Sequence, residues 1–469
     1  MRLIYNSIIL FLFINIQVFS QNIQSPSEHL GYEIGTQFSR HSQVIDYFNY
    51  VSNELPDNMK MEKYGETYER RPLYLAYISS KENIENIDLI RKNNLSNAGI
   101  IKKEINSSIN KDIAIVWLSY NVHGNESSST EASMKTLYLL LTKNSNLLDN
   151  TIVIIDPCVN PDGRDRYANW YNQTVTIPYN TNSKSREHDE PWPGGRANHY
   201  LYDLNRDWAW ITQTESKSRL KIYNKWLPHV HVDYHEQGID NPYYFAPAVE
   251  PYHEIISKWQ RDFQKEIGKN NAKYFDKNGW LYFTKETFDL LYPSYGDTYP
   301  TYLGAIGMTY EKAGGGVAGL GILNSENKVL TLVDRVNHHT TTGISTVEIS
   351  SINAKKLNDE FKLFFNNNSE VKNYILRGEK DKIDTLKELL DQHEIIYSSG
   401  KSNKTSAYSY NKNENENIEI KNSDLIISVN QSKGKLVDVL FEQNAKLSDS
   451  ITYDITAWSL PYAYGLEAY

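Results

Sequence analysis

The stretch SYNVHGNESSSTEASM, residues 119–134, decides how the rest of the chain is read. Immediately before it, IAIVWL at 113–118 is an unbroken apolar run. A run this short and this apolar predicts a strand buried on both faces, as in a parallel sheet. Gly124 and Asn125 then turn the chain, and a cluster of Ser and Thr opens a helix predicted over 127–141. His123 and Glu126 thus fall just past the end of the strand, three residues apart. An imidazole and a carboxylate on such a turn can close on one Zn2+, supplying the nitrogen and oxygen donors that ion takes. The N-terminal end of the following helix carries partial positive charge, which keeps the Glu126 carboxyl ionised as a ligand must be. The pair alone leaves the metal short of a third ligand.

Four further stretches follow in order: NPDG at 160–163, DLNRDW at 203–208, VDYHEQG at 232–238 and MTYEKAG at 308–314. His235 ends a strand predicted over 230–234 and is the natural third ligand, with His231 on the same face as the alternative and His229 reading as a core histidine. Three protein ligands leave one position for water, the pattern of catalytic zinc; structural zinc usually takes thiolates, and Cys158 is the only cysteine. A carboxylate is still needed to accept the water's proton and pass it to a leaving amine. Glu311, closing a short apolar strand before Gly314–Gly316, is the candidate; Glu236 is the alternative, but its adjacency to His235 on a strand turns its side chain away.

Taken together, over roughly residues 35 to 345, these motifs resemble the zinc carboxypeptidases of the carboxypeptidase A type. The resemblance implies a metallocarboxypeptidase with an α/β fold, a mixed and mostly parallel sheet flanked by helices. It would hydrolyse the C-terminal peptide bond of peptides or proteins by zinc-activated water, with one Zn2+ per chain on His123, Glu126 and His235 and Glu311 as general base. Asn205 and Arg206 match the pair that grips a substrate's free terminal carboxylate, a task suited to the planar fork of arginine. Arg196 corresponds to the arginine that steadies the oxyanion, with Arg164 and Arg166 as alternatives. Tyr292 corresponds to a tyrosine that closes over substrate, with Tyr295 beside it. Asp297 falls where the side-chain pocket forms, and an acid there favours Lys or Arg at the cleaved end. Two other functions stay open: an amidase acting on cell-wall peptides, which would use the same metal and Glu311 but a different carboxylate grip, and a non-catalytic binding protein on the same scaffold.

A chain of 469 residues exceeds what one core usually serves, so two units are expected: a catalytic domain over 21–350 and a smaller α/β segment over 351–469, with an incomplete domain as one reading of the latter. Net charge is −9 with no basic block, which argues against nucleic acid and anionic membranes as partners. Residues 1–20 read as a signal peptide, with Arg2, an apolar core too short to span a bilayer, and Val18 and Ser20 before a cleavage site; the mature protein is expected outside the cytoplasm, secreted or periplasmic. Residues 21–33 read as an unstructured lead-in. Helices are predicted over 41–55, 208–226, 251–274 and 324–344, and strands over 70–78, 112–120 and 151–156. The Asn-, Tyr- and Pro-rich excursion between 165 and 202 reads as a rim over the cleft. Beyond 353, the order strand 371–376, helix 380–393, strand 394–397 reads as a βαβ unit, with another strand over 424–429.

Overall fold

The computed structural model describes residues 23–102, 111–366, 369–449 and 451–469. The leader expected over residues 1–20 lies outside the described residues. No helix among the described residues is long and apolar enough to cross a membrane.

The molecule is built on an eight-stranded mixed sheet: β1 Met59–Glu66, β2 Pro72–Ile78, β3 Ala114–Tyr120, β4 Thr151–Asp156, β5 Val230–Gln237, β6 Tyr243–Tyr244, β7 Tyr282–Phe283 and β8 Ile306–Ala313. Their spatial order is β1-β2-β4-β3-β5-β8-β6-β7. The four central strands β4, β3, β5 and β8 run parallel, while β1, β2 and β6 join antiparallel. β3 and β4 are buried at every residue, which explains why they read as continuous apolar runs without alternation. Helices cover both faces. Ser128–Thr142 and Leu332–Ile352 pack against each other on one side, and Thr214–Trp226 lies on the other with Trp226 and Tyr223 in the apolar cluster beneath β3.

Parallel strands present their carboxyl ends together at one edge of the sheet, where ligand clefts form in α/β folds. Register makes this concrete: Tyr120 of β3 pairs with Tyr234 of β5, which pairs with Tyr310 of β8, so the next residues, His235 and Glu311, are themselves directly paired. The three tyrosines form a row across the sheet on the opposite face, with the Tyr120 and Tyr234 rings stacked at 4.2 Å.

Several expectations need correction. NPDG opens a helix that was not expected: Asn160 caps Pro161–Thr174, its side chain accepting from the Gly163 N–H at 3.0 Å, with Pro161 in the first turn. The lead-in contains a short helix, Pro26–Leu30, fixed by a capping box between Ser25 and Glu28. The helix expected from Pro251 starts at Lys258, capped by Ser257, and the one expected from Asn324 starts at Leu332, capped by Thr331. In both cases the hydroxyl cap, and not the first apolar residue, sets the start.

Beyond the helix Ala354–Phe364, the chain forms a four-stranded sheet of Asn373–Arg377, Ser398–Ser399, Leu425–Ser428 and Glu467–Ala468. The helix Lys380–His393 is where it was expected, but residues 394–397 are not a strand, and Leu425–Ser428 inserts antiparallel between the two strands read as neighbours. This unit shares a core with the main sheet: Leu386, Leu390, Leu436 and Phe441 belong to the same apolar cluster as Trp117, Leu220 and Trp226. His393 is wedged in the seam, hydrogen-bonded to the Tyr299 hydroxyl at 2.7 Å and the Ala209 carbonyl at 2.9 Å.

Candidate metal centre

His123, Glu126 and His235 converge at the carboxyl edge of the sheet, all buried. His123 Nδ1 lies 2.8 Å from Glu126 Oε1, His235 Nδ1 lies 3.1 Å from Glu126 Oε2, and the two imidazole Nδ1 atoms are 3.2 Å apart. Two nitrogens and a carboxylate facing one another this closely suit a shared cation. Bonds of about 2.0–2.2 Å to one tetrahedral zinc ion put its donor atoms roughly 3.3 Å apart.

The surroundings orient each ligand. The far nitrogen of His123, Nε2, lies 2.9 Å from Asp203 Oδ1, and an Nε2–H donating to that carboxylate leaves the Nδ1 lone pair free for a metal. His235 Nε2 lies 3.5 Å from Asp233 Oδ2. The backbone N–H of Glu236 donates to Glu126 Oε2 at 2.9 Å. Asn121 holds the turn itself, its side-chain amide donating to the carbonyls of His123 and Glu126 at 3.0 and 3.2 Å.

The electrostatics ask for positive charge. Burial works against ionisation of Glu126, yet the His123 and His235 imidazoles hold its carboxyl far below the usual carboxylate range. Burial likewise opposes charge on His235, but Asp233 and Glu126 keep its imidazolium favoured well above the ordinary histidine range. A site that draws a proton between its ligands has the field a dication would satisfy, so donor set, spacing and charge all fit zinc. The alternative ligand His231 stays out of this group, buried beside Trp117 and Trp208 with Nε2 at 3.6 Å from Asp233. His229 accepts from the Ile115 N–H at 2.9 Å, and burial pushes its imidazole down to about 3, so it is a neutral core residue.

Glu311 faces the same cleft from β8, beside its ladder partner His235. Burial pushes its carboxyl up to about 8, with Glu126 and Asp297 adding to the rise and His235 and Arg196 opposing it. Glu236 points the other way, as strand alternation requires, into a buried ion pair with Arg335 at 3.0 Å.

Arg196 stands at the mouth, half-exposed, donating to Glu126 Oε1 at 3.0 Å and Asp203 Oδ2 at 2.9 Å. Arg164 is excluded from the cleft: it is fully buried on Glu131 and the Ser39 carbonyl. Arg166 donates to the carbonyls of Gly194 and Asn198 and so braces the excursion.

Asn205 and Arg206 sit on the turn Leu204–Arg206, which Asp203 caps. Asn205 reaches His235 Nε2 at 3.5 Å and accepts from the Gly296 N–H at 2.8 Å, while the Arg206 guanidinium lies over the Tyr295 ring at 4.5 Å. Tyr292 is turned away: its hydroxyl accepts from Trp210 Nε1 at 2.6 Å and it packs with Trp458, whereas the neighbouring Tyr295 is the tyrosine on the cleft wall. Asp297 lines the cleft, pushed up to about 7 by burial and by the Asp233 charge, and Asp289 stands beside it.

Sequence reasoning missed four lining or supporting groups. Asp203 and Asp233 lay inside quoted motifs, each two residues from a site residue, and their spacing was the available signal. Tyr453 and Asp454 enter the site from the C-terminal segment, and nothing local in the sequence announces them.

No curated protein matches the chain. Among solved structures it is similar to thrombin-activatable fibrinolysis inhibitor, at 15% identity over 72% of this chain and 79% of that one, TM-score 0.47. It is similar also to a metallo-carboxypeptidase from Burkholderia cenocepacia, at 14% identity over 68% of this chain and 70% of that one, TM-score 0.45, and to the carboxypeptidase A of Helicoverpa armigera, at 15% over 73% and 76%, TM-score 0.43. Residues 44–267, which include all three convergent ligands, match the family model described as zinc carboxypeptidase. That stretch, just under half of the chain, therefore carries a zinc carboxypeptidase domain, whose His123, Glu126 and His235 could hold one zinc ion.

Proposed function

We propose that the protein acts outside the cytoplasm as an exopeptidase, removing the C-terminal residue of peptides or proteins that carry a free terminal carboxylate. The observation that carries this reading is the presence, in one cleft, of the His123–Glu126–His235 group, Glu311 and the Arg206 guanidinium. When bound, zinc polarises a carbonyl and lowers the pKa of nearby water toward neutrality. Glu311 accepts the proton that water gives up and hands it to the departing amine; a carboxyl raised by burial both takes and returns a proton near neutral pH. Arg196 balances the negative charge that develops on the scissile carbonyl oxygen. Asn205 and Arg206 hold the terminal carboxylate, Arg206 through two parallel donors. Tyr295, beside Arg206, takes the role first read for Tyr292. Asp297, with Asp289 next to it, gives the pocket an acidic wall that favours a terminal Lys or Arg.

Digestion of a mixed-peptide pool by zinc-loaded protein, read by mass, tests the reaction: loss of single C-terminal residues is expected, and internal cuts or no cuts would sink it. Glu311→Gln should keep its zinc and lose at least ~100-fold in turnover. Turnover within a few fold of normal would remove Glu311 from the role.

A further inference from the structure

Arg206 is already occupied by a carboxylate of the chain's own. Asp454 Oδ2 accepts from Arg206 Nη2 at 2.9 Å and Nε at 3.2 Å, and from the Tyr295 hydroxyl at 3.1 Å. This is the fork and the phenol that a peptide's terminal carboxylate would use. Asp454 belongs to residues 451–459, which run without helix or strand from the C-terminal unit across the cleft. The crossing is anchored. The Tyr453 N–H donates to Asp289 Oδ2 at 2.7 Å, its ring rests 5.3 Å from Phe288, and it lines the same cleft as the metal ligands. Further on, Trp458 is buried between the units, its Nε1 donating to the Val439 carbonyl at 2.7 Å.

We propose that residues 451–459 form an internal strap that competes with substrate, Asp454 standing in for the terminal carboxylate on Arg206. The proposal rests on the exopeptidase reading, since it gives Arg206 the same partner chemistry. The Arg206 and Asp454 side chains keep 27% and 41% of their exposure. An ion pair that exposed adds little to stability. Its consequence is occupancy of the guanidinium. A tethered carboxylate acts at an effective concentration on the order of millimolar. Substrates with KM in the common micromolar-to-millimolar range therefore compete with it on comparable terms, and the strap raises KM several-fold without touching the chemical step.

The test compares zinc-loaded full-length wild type with Asp454→Asn, which keeps shape and removes charge. On N-acylated dipeptides with a free C-terminus, D454N should lower KM roughly 3–10-fold and leave kcat within about twofold. An unchanged or higher KM overturns the proposal and makes Asp454 a positioning residue for Arg206 instead. A calorimetric titration with 3-phenylpropionate and 6-aminohexanoate, carboxylates that have no scissile bond, separates this from the reaction itself. Tighter binding to D454N than to wild type without any peptide cleavage leaves the strap standing and removes the exopeptidase reading. Binding to D454N that is equal, weaker or absent removes the strap whatever the turnover.

Discussion

The two ends of the cleft are put together in different ways. At the metal end, His235 and Glu311 are paired residues of adjacent parallel strands, and Glu126 is held by the N–H of the residue after His235. The backbone ladder sets their spacing. At the carboxylate end, Arg206 sits on a three-residue turn, Tyr295 on a loop, and Asp454 arrives from 248 residues away in sequence. Nothing there is tied by strand register; turn and loop backbone bonds and side-chain contacts hold it. A laddered end resists rearrangement, and a looped end can exchange one partner for another, which suits a place where substrates come and go.

The sharpest way to break this contrast is at the ladder. His235→Ala should abolish stoichiometric zinc, measured by metal analysis, and cut activity by at least ~1000-fold; retained zinc at normal stoichiometry would mean the ligand set is misread. Next comes the looped end. Arg206→Ala should lower kcat/KM about 10–100-fold on peptides with a free carboxylate and far less on their amides, while zinc content stays full; equal losses on acid and amide would show that the two ends do not divide the work. Between the ends lies Asp203, which caps the Arg206 turn and orients His123. Asp203→Asn should weaken zinc roughly 10–100-fold, read by competition with a chelator; unchanged affinity would separate the two ends completely.

The smallest effect concerns pH. Glu311 must be ionised to accept a proton, so kcat/KM should rise as pH increases through its pKa. Burial raises that pKa to about 8 in the absence of a cation, and zinc facing the carboxyl moves it down. The rising limb should thus lie below pH 8. Asp297→Asn removes one of the charges that raise it and should shift the midpoint down by a few tenths of a pH unit; an upward shift would contradict the charge arrangement at Glu311.

The same contrast explains what could be read in advance. His123, Glu126, His235 and Glu311 were legible because a buried strand advertises itself as an apolar run and its carboxyl end is where parallel strands present side chains. The strand β1 and the helices Lys81–Glu85 and Ile87–Asn97 were not read, because their polar residues interrupt any clean period. Tyr292 and Tyr295 could not be told apart from spacing, since the loop that carries them has no repeat to count along. The C-terminal strands were misordered because Leu425–Ser428 inserts between partners that sequence proximity made look adjacent. Asp454 was invisible for the most general reason: a contact between residues 248 positions apart leaves no mark near either one. The family match ends at residue 267, so it speaks for the metal ligands and leaves Glu311 and everything after it to geometry.

The hydrogen bond from the Glu236 amide to Glu126 makes the third ligand's own strand the brace of the second. Pulling β5 out of line would disturb two donors in a single movement, removing His235 and loosening Glu126. Full zinc affinity should then report the docking of β5 beside β3: a nascent chain stalled before residue 230 lacks the third ligand and should bind zinc more weakly than the finished protein.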